Sequence, residues 1–149
     1  MPRPARTGPL QDVVKGRDAK VVYFPSCVTR LWGAARGAED ERGGSAAMMS
    51  ILEKAGYDVL FPKDLPSLCC GLTFESKGFP ELADQKCAEL EKALLELTEG
   101  GALPVLCDTS PCIQRMRAHF GPQLKIYEPA EFIHEKLMDR LRFVKQPGA

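Results

Sequence analysis

Apolar positions along the chain fall into short blocks separated by proline and glycine breaks, and the blocks are of two kinds. Val21-Val22-Tyr23-Phe24 is β-branched and aromatic throughout and is bounded by Pro25, which predicts a buried strand. Tyr57–Phe61, ended by Pro62, predicts a second strand, Leu103–Cys107 a third and Leu124–Tyr127 a fourth. Between them the apolar residues recur at helical spacing. Ala46, Met49, Leu52 and Ala55 share one face, with Ser45 as the expected N-cap and Gly56 as the stop. The clearest helix opens at Pro80 and carries Ala83, Cys87, Leu90, Leu94 and Leu97 in alternating steps of four and three until Gly100-Gly101. Ser110-Pro111 predicts a cap and first turn of a helix reaching His119. A last helix opens at Pro129, with Phe132, Ile133, Leu137 and Leu141 on one face.

Strands therefore alternate with helices, and every crossover is too long for a hairpin. That predicts an α/β, three-layer domain: about four parallel strands, helices on both faces, and the flavodoxin-like order 2-1-3-4. Residues 1–19 are polar and rich in Pro, Arg and Gly and read as a lead-in or linker. The ordered domain is expected over 20–145, with a loop over 34–45 and a frayed tail at 146–149. No internal repeat is visible.

Composition narrows the classes. The chain has 149 residues, 44% hydrophobic and 27% charged, enough for one ordinary core. Twenty Lys+Arg balance twenty Asp+Glu, so no basic surplus attracts nucleic acid. No apolar run approaches the roughly 18 residues of a membrane span. The N-terminus lacks the apolar stretch of a secretory signal, so a cytoplasmic, reducing setting is expected, with a peripheral place at the inner face of the membrane as a variant. In such a setting six cysteines point to metal or redox chemistry more than to structural disulfides.

Their placement sharpens this. In an open parallel sheet, ligands bind outside the carboxyl ends of the strands. Cys27 follows strand 1, Cys69 and Cys70 follow strand 2, Cys107 ends strand 3, and Cys112 sits in the next helix's first turn. Five cysteines from three separate stretches thus gather at one sheet edge. Thiolates ligate iron–sulfur clusters and closed zinc sites alike. Neighbouring side chains diverge, so Cys69 and Cys70 suit two metals of one cluster better than one tetrahedral ion. Cys87 lies on an apolar helix face and reads as core; Cys107 fits either packing or ligation. Arg30 and Lys77 are candidates for pairing with an anionic ligand, or are solvated. Trp32 is expected to pack under the same loops. His119 and His134 stand in no ligand spacing. No phosphate-binding glycine motif, HExxH or serine elbow is present, so this chain alone shows no catalytic constellation.

Three segments together resemble a known family: Phe24-Pro25-Ser26-Cys27 with Arg30 and Gly33; Cys69-Cys70-Gly71 with Ser76-Lys77-Gly78-Phe79; and Asp108-x-Ser110-x-Cys112. They look like the cysteine-rich CCG domain found in heterodisulfide reductases and in the iron–sulfur component of glycolate oxidase. The wording is most similar to the C-terminal region of FAD-linked D-lactate dehydrogenases. The resemblance spans about Val21 to Phe143. It implies an iron–sulfur electron-transfer module, with cofactor ligands at Cys27, Cys69, Cys70 and Cys112 and a further metal ligand at Cys107. It also implies FAD and ferredoxin-like domains and a second CCG module as partners, with flavin taking electrons from D-lactate or a similar 2-hydroxy acid. The ferredoxin-like CxxCxxCxxxCP run is not in this chain. One departure stands out: Thr109 occupies the first cysteine position of the family's last CxxC, and Cys107 makes a C-x4-C spacing instead.

Two other readings use the same thiols. A structural zinc module would take Cys27, Cys69 or Cys70, Cys107 and Cys112 as a four-sulfur site mediating subunit contacts. A thiol–disulfide module would use Cys69 with Cys70, or Cys107 with Cys112.

Overall fold

A computed structural model describes residues 19–32 and 43–144. Strand β1 (Ala19–Phe24) leads into a short helix α1 (Cys27–Leu31), and α2 (Gly44–Lys54) leads into β2 (Tyr57–Leu60). A loop with one 3-10 turn at Leu65–Ser67 precedes α3 (Leu72–Glu75) and the long α4 (Pro80–Leu97). Then come β3 (Val105–Cys107), α5 (Ser110–His119), β4 (Ile126–Tyr127) and α6 (Pro129–Phe132), which runs on as a π turn over Ile133–Leu137.

The four strands form one sheet in the order β2-β1-β3-β4, and every pairing is parallel. The expected three-layer α/β fold and strand order are therefore observed. Alternation along the strands builds two cores, because successive side chains leave opposite faces of the pleat. Val22, Phe24, Val105, Cys107 and Ile126 face Leu90 and Leu94 of α4 and Ile113 and Met116 of α5. Val21, Tyr23, Val59 and Leu106 face Met48 and Leu52 of α2 and Phe132 and Leu137 of the last helical segment.

Several boundaries differ from expectation. The third strand starts at Val105, not Leu103. Pro104 has no N–H for the ladder, although its carbonyl still accepts from Val22 N at 2.9 Å. The second strand stops at Leu60, and the fourth is only Ile126–Tyr127. Ser45 is not the cap of α2; Gly43 is, and the Ser45 hydroxyl instead meets the Tyr23 hydroxyl at 3.2 Å. The buried face of α2 is Met48, Leu52 and Ala55, while Ala46 is exposed. Spacing of four and three fits either set; Met48 is buried in the core, and Met49 packs half-buried against the same cluster. Thr109, not Ser110, is the N-cap residue of α5. Trp32 is exposed rather than packed under a loop. The lead-in, save Ala19 in β1, lies outside the described residues, as do most of the 34–45 loop and the tail at 146–149.

Candidate metal centre

Three loops leave the carboxyl ends of β1, β2 and β3, and each delivers cysteine to the same place. After β1, Pro25 ends the strand and buried Ser26 caps α1, its Oγ accepting from Thr29 N at 3.2 Å. Cys27 is thus the first residue of a helix and is half-buried. After β2 the loop delivers Cys69, half-buried, and Cys70, buried. After β3, Asp108 and Thr109 lead into α5, whose third residue is the buried Cys112.

The four thiols meet as a row. Cys27 neighbours Cys69, Cys69 neighbours Cys70, and Cys70 neighbours Cys112, each pair close enough for one thiol to influence the other's proton affinity. The row does not close round one point: among the described residues, no three Cys, His, Asp or Glu side chains are arranged to hold a single metal ion. Cys107 lies fully buried in the core beneath, close enough to Cys70 for their charges to interact, but outside the row. Cys87 is buried on α4 as expected of a core residue.

Gly71 makes the cysteine loop possible. Its φ is +86°, and a Cβ built there would stand 2.1 Å from the Ala83 carbonyl oxygen of α4. A side chain is therefore refused twice, by backbone conformation and by the closeness of α4. The turn points N–H groups toward the sulfurs: Gly71 N donates to Cys69 Sγ at 3.4 Å, and the Leu72 N–H pulls the Cys70 thiol's proton affinity down.

Two arginines hold this loop by its carbonyls. Arg30 donates to the carbonyl oxygens of Leu65 and Leu68, the latter at 2.7 Å, with its guanidinium over the Phe24 ring. Arg115, whose side chain is only 4% exposed, donates to the Cys70 carbonyl oxygen at 2.9 Å. Its other nitrogens pair with Glu75 of α3 at 2.5 Å and Asp84 of α4 at 2.6 Å. Arg30 was legible as a loop residue beside the cysteines; its partners are carbonyls rather than an anion. Arg115 does not stand out in the sequence. Its signal is its position three residues after Cys112, on the inward face of α5.

Asp108 ties the first and third loops together. It accepts from Tyr23 Oη at 2.8 Å and from Ser26 N at 2.9 Å. Thr109 Oγ1 donates to Ser26 Oγ at 2.7 Å and is therefore engaged with the network. The Thr109 side chain thus faces Ser26. Lys77, His119 and His134 are exposed, and His119 reaches only Asp84, at 3.8 Å.

Three thiols here, Cys69, Cys70 and Cys107, are held protonated. The neighbouring Cys70 thiol and then burial push Cys69 well above the usual thiol range, against the pull of the Gly71 N–H. Cys112 and burial push Cys70 up to about 11, and burial above all pushes Cys107 up to about 12. Such thiols are poor nucleophiles at neutral pH, whereas a thiophilic metal displaces their protons on binding. An open groove of about 400 Å³ lies elsewhere, lined by Ser110, Pro111, Ile113, Gln114, Arg117 and Glu128, and contains none of the cysteines. Among the described residues no helix is long and apolar enough to cross a membrane.

Comparison with family models, with curated proteins and with solved structures finds no match to this chain.

Proposed function

We propose that this chain is an electron-transfer module that holds an iron–sulfur cluster on Cys27, Cys69, Cys70 and Cys112. The observation that carries the reading is the row of four neighbouring thiols, drawn from three loops at the ligand edge of a parallel sheet. A row of thiols suits a cluster, which spreads its ligands over several metal atoms, better than one tetrahedral zinc. A bound cluster would supply one-electron redox chemistry, its potential tuned by burial and by hydrogen bonds to sulfur.

The protein's own residues supply the rest. Gly71 and Leu72 direct N–H groups at Cys69 and Cys70. Arg30 and Arg115 fix the loop and bring positive charge beside a site that gains negative charge when its thiols ionise. Cys107 packs beneath Cys70 and serves the site as wall rather than as a member of the row.

The resemblance in the motifs extends the proposal. The module works within an FAD-linked dehydrogenase of D-lactate or a related 2-hydroxy acid, passing flavin electrons onward. FAD and the ferredoxin-like clusters belong to other domains, and a second CCG module is its neighbour.

Anaerobic reconstitution with iron and sulfide tests the assignment. The expected product has broad visible absorbance and stoichiometric iron and sulfide, both lost in Cys70→Ser and Cys112→Ser and retained in Cys87→Ala. Colourless, iron-free protein refutes the cluster; one tightly held zinc without iron replaces it with the structural zinc reading.

A further inference from the structure

Cys27 and Cys69 are half-buried, whereas Cys70 is only 2% exposed. The deeper thiol needs a way in, and the segment directly after it has the build of a movable one. Gly71 (φ +86°) and Gly78 (φ +83°) bracket the segment, both in the left-handed region that glycine enters freely. Between them α3 and the turn after it bond to themselves. Phe74 N and Glu75 N donate to the Gly71 carbonyl oxygen at 2.9 and 3.1 Å, and Ser76 N to that of Leu72 at 3.0 Å. Lys77 N and Phe79 N donate to the Phe74 carbonyl oxygen at 3.1 and 3.0 Å, and Gly78 N to that of Glu75 at 3.0 Å. The Ser76 hydroxyl donates to the Thr73 carbonyl oxygen at 2.9 Å. None of these bonds is shared with the sheet or with α5, so the segment can swing as one body without breaking them.

Two contacts hold it down. Leu72, half-buried, packs against the core cluster that contains Cys70 and Cys112. Glu75 Oε2 pairs with Arg115 Nη1 of α5 at 2.5 Å. Of residues 73–79, all but the half-buried Phe74 are exposed. Few buried contacts and an ion pair half open to water mark a unit that opens well below the cost of global unfolding.

We propose that residues 72–78 are a lid over Cys70, hinged at Gly71 and Gly78 and latched by the Glu75–Arg115 ion pair, whose opening gives metal access to the buried thiol. Its use in metal loading rests on the cluster reading above; its opening does not. Arg115 stays behind when the lid moves, since its Nε holds the Cys70 carbonyl oxygen at 2.9 Å and its Nη2 holds Asp84 of α4 at 2.6 Å. Opening therefore uncovers Cys70 without unseating its backbone. Because the latch is ionic and its carboxylate is 48% exposed, salt weakens it, and ionic strength sets how often the lid stands open.

Pulsed labelling of the metal-free full chain with iodoacetamide, a small neutral reagent, reads the opening. Brief pulses label at most one thiol per chain. Tryptic peptide 64–77 carries Cys69 and Cys70, which fragmentation separates, and 87–92 carries Cys87 alone. Cys87, 2% exposed within α4, reports global unfolding. Cys70 is expected to label faster than Cys87, and Glu75→Gln to raise the Cys70 rate about two- to fivefold. Asp84→Asn breaks the other ion pair of Arg115, which lies off the lid, and leaves the Cys70 rate unchanged. Raising salt from about 50 to about 500 mM accelerates Cys70 in the wild type and much less in Glu75→Gln. Cys70 labelling only at the Cys87 rate, or equal acceleration by the two variants, overturns the proposal. The wild-type comparison and its salt series decide the matter even if a variant fails to fold. Iron uptake without faster labelling of Cys70 would refute the lid and leave the cluster; salt-gated labelling in a protein that never takes up iron would do the reverse.

Discussion

Gly71→Ala is the sharpest perturbation of the cysteine loop, and Gly78→Ala is its control. The two glycines share a left-handed backbone, with φ of +86° and +83°. An alanine Cβ at Gly78 would meet nothing within 4 Å, whereas at Gly71 it would stand 2.1 Å from the Ala83 carbonyl oxygen and 2.8 Å from the carbonyl carbon. Gly78→Ala therefore isolates the conformational penalty, about 1–2 kcal/mol. Gly71→Ala adds an overpacking term of about 1–3 kcal/mol, because the obstructing atoms are helix backbone that cannot rotate away. The expected loss is about 2–5 kcal/mol, a large part of the roughly 5–15 kcal/mol that stabilises an ordinary domain. With a urea slope of about 1.5 kcal/mol/M, Gly78→Ala lowers the midpoint by about 1 M and Gly71→Ala by about 1.5–3 M. Urea unfolding followed by far-UV circular dichroism reads both. Because relief of the clash moves the loop off α4, Gly71→Ala also lowers iron uptake in anaerobic reconstitution, which Gly78→Ala leaves intact. Equal midpoint losses for the two variants would contradict the claim that α4 dictates glycine after the cysteine pair.

Arg115→Met removes the only charged side chain buried among the described residues and strands the Cys70 carbonyl, which costs about 1–3 kcal/mol by urea unfolding. Its carboxylate partners are about half exposed, so Glu75→Gln and Asp84→Asn each cost under about 1 kcal/mol; equal losses from all three would argue against the carbonyl assignment. Asp108→Asn presents an amide nitrogen to one of two donors, Tyr23 Oη and Ser26 N, and lowers stability by about 1–3 kcal/mol in the same assay, whereas an unchanged midpoint would remove Asp108 as the tie between loops. Burial raises the Cys87 thiol from 9.0 to about 11, so the folded chain holds this proton more tightly than the unfolded one. That contribution is complete below pH 9 and is lost as pH rises through 11, so wild type loses stability relative to Cys87→Ala across this window; a pH-independent difference between the two would overturn it.

Parallel topology was legible because it follows from local facts. Each strand block is bounded by proline or glycine, the helical face of Ala83, Cys87, Leu90 and Leu94 repeats at the right period, and no crossover is short enough for a hairpin. Element ends were less legible. The Pro104 carbonyl joins the ladder while its nitrogen cannot, and Ser45 is drawn to Tyr23 rather than to its own helix. Neither choice is visible without the partner strand or side chain in place.

The same division runs through the site. Sequence alone determined that three cysteine-bearing loops would open at one sheet edge, because strand direction in a parallel sheet fixes which ends carry the ligand loops. It also set Cys87 apart from the others, through the helical period of α4. Only the tertiary structure decided the order within the site. It linked Cys27, Cys69, Cys70 and Cys112 into a row, left Cys107 in the core below, and turned Thr109 toward Ser26. It also drew on Arg115 and Gly71, whose partners lie 45 and 12 positions away, at the Cys70 carbonyl and in α4. Spacing along a chain reports which face or edge a residue occupies. Which atoms touch there depends on how packed elements approach one another, and that is set by the cores on both faces of the sheet.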